Sequence, residues 1–313
     1  MAIYLVTGGA GFIGSNLVHQ LVKDGHRVKV LDNFYSGKRE NLWEVIHDIE
    51  LIEGDLTDAD AVSRAVAGVE IILHQGAVPS VPKSIKDPLT SDRVNVGGTL
   101  QILNAAVAHR VQRVVYAASS SAYGNTWVLP KTESMEGTPL SPYAVSKFTG
   151  ELYCRVYNRI YGLETVSLRY FNVFGPRQDP NSEYAAVVPK LICSMMHDIP
   201  PKIYGDGTQS RDFTYIDNVV SANLLAANAP RLHGEVVNIG CGSRITLNKL
   251  VAEIAEIMQK TPESVYLKER MGDVKHSLAD IQNAEALIGY KPLVQLKEGL
   301  EKTIEWYGRN LHE

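Results

Sequence analysis

Two side chains set one helical turn apart carry the first chemical signal in this chain. In LSPYAVSKFTGELY, residues 140–153, Tyr143 precedes Lys147 by four positions. Ser141 stands where an N-cap would and Pro142 at the first helical position, so a helix should begin just before Tyr143. Residues four apart share a helical face. An ammonium beside a phenol favours the phenolate, which lowers the tyrosine pKa and makes it a general base. Upstream, Ser119, Ser120 and Ser121 follow an apolar β-rich run. One of these hydroxyls could hydrogen-bond a reacting oxygen, although serines at a strand end also form ordinary turns. A Tyr-x-x-x-Lys pair also arises by chance, so its meaning depends on the elements around it.

The segment IYLVTGGAGFIGSNLVHQLVKDGHRVKVLDNF supplies that context. Ile3 to Val6 reads as a buried parallel strand. Gly8, Gly9, Gly11 and Gly14 follow, and Ile13, Leu17, Val18 and Leu21 recur at helical spacing up to Gly25. Arg27 to Leu31 reads as a second strand, closed by Asp32. A turn without Cβ atoms lets backbone N–H groups approach a pyrophosphate, and the helix N-terminus adds partial positive charge. Asp32 lies where a carboxylate can accept hydrogen bonds from adenosine ribose hydroxyls and would repel a 2′-phosphate. The pattern therefore points to a dinucleotide, NAD in preference to NADP, with Lys38 and Arg39 as a nearby complication. A P-loop is excluded because no Gly-Lys-Ser/Thr follows the glycines. When bound, the positive nicotinamide of NAD⁺ would join Lys147 in favouring the phenolate, and Tyr143 as a base could take a hydroxyl proton while hydride leaves the same carbon.

The strand–helix rhythm continues. IELIEGDLTD reads as a strand ending at Asp55-Leu56, VEIILHQGA as one ending at His74 and Gly76-Ala77, and Val111 to Ala117 as a third, with a helix from Val94 to Ala108. Alternation of this kind indicates an α/β fold, a doubly wound parallel sheet of the Rossmann kind, with helices on both faces. Ligands sit beyond the carboxyl ends of such strands, which is where Asp55, His74, Gly76, Ala77 and Ser119 fall. His74 reads equally as a cofactor contact or an ordinary loop residue. From about Gly175 the rhythm gives way to prolines and loops, then helices at Asn218 to Ala229 and Leu247 to Gln259. We read residues 1–174 as the NAD-binding domain and 175–313 as a smaller C-terminal α/β substrate domain, some of whose segments pack back on the first.

The 313 residues are 45% apolar with net charge −4, an ordinary globular balance that gives no basic face for nucleic acid. Cys154, Cys193 and Cys241 are odd in number and scattered, which fits a reducing compartment rather than a disulfide framework. No C-x-x-C or H-E-x-x-H occurs, so no metal site is expected. With no transmembrane-length apolar run and no basic leader, the expectation is a cytoplasmic protein with no membrane partner.

The glycine pattern, Asp32, Asp55-Leu56, SSSAYG (119–124), YAVSK (143–147), RYFNVFGP (169–176) and SRDFTYIDN (210–218) together resemble the extended short-chain dehydrogenase/reductase family, in its UDP-glucose/UDP-N-acetylglucosamine 4-epimerase branch. The resemblance covers nearly the whole chain. It implies that Tyr143 is the catalytic base, that Lys147 binds the nicotinamide ribose and tunes Tyr143, and that Ser119, four residues before Tyr123, is the family's catalytic Ser/Thr, with Ser120 and Ser121 as neighbouring candidates. It implies cofactor contacts at Gly8, Gly11, Phe12, Ile13, Gly14, Asp32, Asn33, Ser36, Gly37, Asp55, Leu56, Gln75, Ala77, Asn95 and Phe171. The family's HLAA strand end is HQGA here, a departure at Gln75 and Gly76. Substrate-lining positions are Ser80, Ser119, Asn172, Val188, Lys190 and Tyr204. Arg211 and Arg270 would grip the diphosphate, as guanidinia do, and Asp273 would lie near the uridine ribose. Ser277 matches a position where a bulky residue closes the sugar pocket against N-acetyl groups; a serine leaves room.

Related 4,6-dehydratases resemble this chain but carry Asp-Glu where Ser120 and Ser121 stand, and UDP-glucuronate decarboxylases carry Glu at Ser121. The serines lack that acid–base chemistry. The expected activity is therefore an NAD-dependent 4-epimerase interconverting UDP-GlcNAc/UDP-GalNAc, UDP-Glc/UDP-Gal or both through a transient 4-keto sugar. Alternatives are a UDP-glucuronate 4-epimerase, reductase or dehydratase and, outside enzymes, an NAD(H)-sensing binding protein. By analogy with the family, the helices from Val94 and Tyr143 would pair across a homodimer.

Overall fold

Seven strands that read as apolar runs pair side by side and in parallel. The computed structural model describes residues 1–180, 186–269 and 274–310. The strands are β1 (Ile3–Thr7), β2 (Arg27–Asp32), β3 (Ile49–Glu53), β4 (Ile71–His74), β5 (Arg113–Ser119), β6 (Glu164–Tyr170) and β7 (Glu235–Ile239). Their order across the sheet is β3-β2-β1-β4-β5-β6-β7. The chain therefore runs outward from β1 in one direction, then returns to β4 and runs outward in the other. The crevice between the carboxyl ends of β1 and β4 is the topological switch point, where such sheets bind ligands. In register, Thr7 pairs with His74 on one side and Leu31 on the other.

Successive side chains of a strand face opposite ways, and the core divides accordingly. Val6, Val30, Leu73, Val115 and Leu168 lie in one buried cluster, with residues of the Phe12–Lys23 and Ile216–Asn228 helices. Leu5, Leu31, Ile72, Val114 and Tyr116 lie in the other, with residues of the Ala59–Val66, Gly98–Ala108 and Pro142–Tyr161 helices. β7 and the Ile216–Asn228 helix, both from beyond residue 175, belong to this central architecture. The remaining C-terminal residues form small two-stranded pairings, Ser210–Arg211 with Ile245–Thr246 and Lys202–Tyr204 with Val265–Leu267, packed with the helices Val187–Met196, Leu247–Met258 and Leu296–Asn310. Among the described residues no helix is long and apolar enough to cross a membrane.

The helix expected from Val94 begins instead with a π-helical turn, Arg93–Gly97, before the regular Gly98–Ala108 segment. Asn95 lies in that turn. Its Oδ1 accepts from Val78 N at 2.7 Å and its Nδ2 donates to Ser146 Oγ at 3.0 Å. A side chain committed to two other segments is a reason for the turn to widen there, since π turns commonly mark functional positions.

Candidate active site

The glycine turn is shaped by close approaches. Gly8 has φ +65°, and a Cβ on it would come within 2.7 Å of Gly76 Cα, so β1 and β4 meet through two glycines. A Cβ on Gly14 would sit 2.1 Å from the Gly8 carbonyl oxygen, so the helix starts hard against the turn. Gly11 caps the Phe12–Lys23 helix without any side-chain bond, which leaves its first-turn N–H groups to a ligand. Asp32, at the end of β2, clamps this loop: one carboxylate oxygen accepts from Ala10 N and the other from Phe34 N, both at 2.8 Å. Burial raises the Asp32 pKa, and those two bonds oppose the rise. Each oxygen keeps a second lone pair for a ribose hydroxyl. Next to it, Asn33 Nδ2 donates to Asp55 Oδ2 at 2.6 Å. Burial pushes Asp55 up, but bonds from Thr57 and Asn33 outweigh it and leave the carboxyl below its usual range.

Ser36 and Gly37 lie in the loop after β2, where a Cβ on Gly37 would meet the Ala10 backbone at 2.8 Å. Phe12 and Ile13 open the first helix, and Leu56, at the end of the loop after β3, packs on Gly98. Lys38 pairs with Asp179 and Arg39 with Glu53, so the two cations that complicated the choice of cofactor have acidic partners. These residues fit a dinucleotide without a 2′-phosphate.

His74 resolves as a structural residue. It is buried, with Nδ1 bonded to Thr7 Oγ1 at 2.7 Å and Nε2 to Thr99 Oγ1 at 3.0 Å. Burial, reinforced by the Lys147 charge, lowers its pKa to about 3, so it stays neutral. Gln75 turns towards Tyr170 and Asn223, with Nε2 3.1 Å from Asn223 Oδ1. Ala77 continues the loop, and Phe171 is fully buried against Tyr123 and Ala279.

The Pro142–Tyr161 helix starts as expected, with Ser141 Oγ accepting from Ala144 N and Pro142 in first place. Ser80 caps the Val81–Lys86 helix, whose Ser84 Oγ accepts from Tyr143 N at 3.0 Å. β5 delivers Ser119, whose hydroxyl is the group that opposes the burial-driven rise of the Tyr143 pKa. Ser121 donates to Ser119 Oγ at 2.8 Å, and Ser120 begins the 3₁₀ turn Ser120–Tyr123. The structure thus favours Ser119 as the serine facing Tyr143, with Ser121 behind it. Lys147 is buried, its Nζ 4.9 Å over the Tyr116 ring. Burial lowers its pKa to about 8, against the raising influence of Cys154 and Glu151.

Within the protein itself, burial raises the Tyr143 pKa, and Ser119 rather than Lys147 supplies the opposing effect. The physical reason is that the phenolate's desolvation exceeds what these neighbours return. The lowering expected from the sequence joins Lys147 to the positive nicotinamide of NAD⁺, so it concerns the loaded site.

In the substrate half, Asn172, with φ 35°, donates to Asp212 O at 2.8 Å and to Ser277 Oγ at 3.2 Å, bringing two expected substrate positions together. Arg211 Nη1 donates to the carbonyls of Ser210 and Lys275, both at 3.0 Å. With Arg244 and Lys275 it forms a cationic group beside Ser277. Burial, followed by these three charges, lowers the pKa of His276. Val188 is buried in the core, Lys190 lies on the same Val187–Met196 helix, and Tyr204 ends a short strand. Arg270 and Asp273 lie outside the described residues.

Sequence reasoning overlooked Tyr116, Gly150 and Ser84. A Cβ on Gly150 would fall 2.2 Å from the Tyr116 hydroxyl oxygen, so this glycine lets the helix settle onto the ring beneath Lys147. An isolated glycine inside a helical pattern was the available signal.

Residues 4–240 match the NAD dependent epimerase/dehydratase family. A UDP-glucose 4-epimerase of Mycolicibacterium smegmatis is 38% identical over 307 residues, covering 97% of each chain. Among solved structures, a UDP-N-acetylglucosamine 4-epimerase from Methanobrevibacter ruminantium, in complex with UDP-N-acetylmuramic acid, superposes with TM-score 0.95 at 40% identity, covering 99% of each chain. A UDP-glucose 4-epimerase from Thermus thermophilus, in complex with NAD, gives TM-score 0.90 at 35% identity, covering 99% of this chain and 100% of that one.

Proposed function

The chain belongs to the NAD-dependent epimerase/dehydratase family as a UDP-sugar 4-epimerase relative with NAD as cofactor, and from that premise we propose that it inverts C4 of UDP-hexoses, accepting UDP-GlcNAc/UDP-GalNAc alongside UDP-Glc/UDP-Gal. The observation that carries this reading is the composition of the centre. Tyr143, Lys147 and Ser119 converge, and the two positions beside Ser119 are hydroxyls rather than carboxylates. Such a centre can move one proton to and from a sugar oxygen, but it has no acid–base pair for expelling water.

Tyr143 removes the proton from the sugar's O4 and later returns it, while Ser119 hydrogen-bonds that oxygen. Lys147 holds positive charge under the site, and Gly8, Gly11, Gly14, Asp32, Asn33 and Asp55 hold the dinucleotide. NAD⁺, when bound, supplies a reversible hydride acceptor. The 4-keto sugar turns about its phosphate linkage to present the opposite face. Arg211 grips the diphosphate, and Asn172 with Ser277 lines the sugar end of the cleft. Small side chains at Ser80 and Ser277 leave volume for an acetamido group.

Val145, Leu152, Val156 and Ile160 expose an apolar stripe along the Pro142–Tyr161 helix. A second copy covering this stripe would form a homodimer, since exposed apolar patches mark interaction sites. Sedimentation of a Leu152→Glu variant should show a smaller species than the wild type; identical sedimentation would refute the dimer.

For the sugar, Ser277→Tyr should cut turnover of UDP-GlcNAc by about 5- to 150-fold, because a side chain added to a filled pocket costs roughly 1–3 kcal/mol, while UDP-Glc turnover changes little. Unchanged activity on the acetylated pair would remove Ser277 from the pocket.

A further inference from the structure

The buried row along the Pro142–Tyr161 helix extends past Lys147. Glu151 stands one turn further on, with Cys154 beyond it on the same side. Glu151 is 2% exposed, and Arg169 of β6 meets it in a two-pronged contact, Nε to Oε1 at 2.9 Å and Nη2 to Oε2 at 2.7 Å. A salt bridge this deep loses much of its Coulomb gain to desolvation and is weak evidence for a stabilising role. Arg169 Nη1 also has no hydrogen-bond partner among the described residues, which adds to the cost. A structure that keeps such a pair beside its reactive groups invites a functional account.

The surroundings of the pair supply one. The Arg169 guanidinium lies 4.5 Å over the Tyr123 ring and 5.9 Å from that of Phe148. Tyr123 closes the 3₁₀ turn that begins just after Ser119, and Phe148 follows Lys147 directly. The guanidinium therefore spans the serine turn and the catalytic helix. Facing Lys147 are Glu151 and Cys154 on its own helix, Tyr143 one turn back, Tyr116 from β5 and His74 from β4. Burial pushes the Cys154 thiol up to about 12 and holds His74 near 3, so both are neutral at working pH. Burial likewise raises the Tyr143 and Tyr116 phenols. The two-pronged Arg169 contact marks Glu151 as the anion facing Lys147 among the described residues; burial raises the Glu151 pKa, and Arg169 opposes that rise.

We propose that Glu151 and Arg169 are positioning residues of the Tyr143–Lys147 centre: the carboxylate keeps the Lys147 ammonium charged inside the fold, and the guanidinium holds the serine turn against the same helix.

The proposal rests on the reading of Tyr143 and Lys147 as the proton-handling pair, and its test separates the two. Glu151→Gln, and the double variant Glu151→Gln with Arg169→Met, are compared with wild type from about pH 6 to 9.5. Turnover of UDP-sugar is measured, as is NADH affinity by fluorescence in the absence of sugar. The alkaline limb should move down by about one pH unit in both variants, giving about fivefold lower turnover near pH 8 and near wild-type turnover near pH 6.5. NADH affinity should weaken over the same shifted range. The double variant leaves no unpaired Arg169 guanidinium in the fold and decides the matter if the single variant does not fold. An alkaline limb coincident with wild type, even with lowered thermal stability, would reduce the pair to a packing feature and overturn the proposal. A wild-type protein that turns over no UDP-sugar would defeat the activity reading instead, and the NADH titration would still decide the role of Glu151.

Discussion

Replacing Gly14 with alanine tests the cofactor cradle through a single methyl group. The added Cβ would lie 2.1 Å from the Gly8 carbonyl oxygen and 2.8 Å from both Gly8 C and Gly9 Cα, whereas ordinary contact begins near 3.4 Å. All three obstacles are backbone, so no side chain can swing aside. The helix start must retreat from the turn by about 1.3 Å, the difference between contact and the present separation. Forced insertions of this size cost about 1–3 kcal/mol, and every 1.4 kcal/mol is tenfold in affinity, so NADH binding should weaken by about 5- to 150-fold. The assay is a fluorescence titration with NADH, with circular dichroism to confirm the fold. Gly308→Ala is the control: it lies in the Leu296–Asn310 helix with nothing within 4 Å of its added Cβ. That change should leave binding alone and stabilise the helix by about 0.5–1 kcal/mol. If Gly14→Ala binds NADH within twofold of wild type, the glycine turn does not cradle the cofactor.

Further consequences follow from buried groups. Gly150→Ala sets a methyl 2.2 Å from the Tyr116 hydroxyl oxygen and should lower stability by about 1–3 kcal/mol in urea unfolding, with a larger loss of turnover than of NADH affinity. His74 has a folded pKa near 3 against 6.5 for a free histidine, so the unfolded chain binds the extra proton between those values. Stability should therefore fall as pH drops from about 6.5 towards 3, by up to about 1.4 kcal/mol per pH unit from this residue, and His74→Asn should remove about one proton's worth of that slope. The Cys154 thiol, fully buried with its pKa pushed up to about 12, should resist alkylation until the protein unfolds; rapid labelling of native protein would contradict its placement.

Much of this architecture is legible in the sequence because strand, turn and helix signals coincide. The glycine turn with Asp32 and the Ser141-Pro142 start are each set by local chemistry, and the structure has both. What was not legible depends on contacts between distant segments. The choice among Ser119, Ser120 and Ser121 depends on where the Pro142–Tyr161 helix lies against β5. The roles of His74 and Asn95 depend on partners at Thr7, Thr99, Val78 and Ser146. The direction of the Tyr143 pKa shift in the protein alone also depends on burial, which spacing does not reveal. Glu151 and Arg169 carried a readable hint, since an arginine in an apolar parallel strand needs an anion, and a glutamate four residues past Lys147 continues the reactive face.

The central claim is that Tyr143 moves a proton at the sugar's O4 while the hydrogen on C4 leaves and returns without exchanging with water. NMR of UDP-GlcNAc and UDP-Glc incubated in D₂O without added cofactor tests it most directly, with wild type and Tyr143→Phe side by side. The account predicts that wild type yields both C4 isomers with no deuterium at C4, and that Tyr143→Phe retains NAD but forms almost no product. Deuterium at C4, a dehydrated product, or substantial epimerisation by Tyr143→Phe would contradict it.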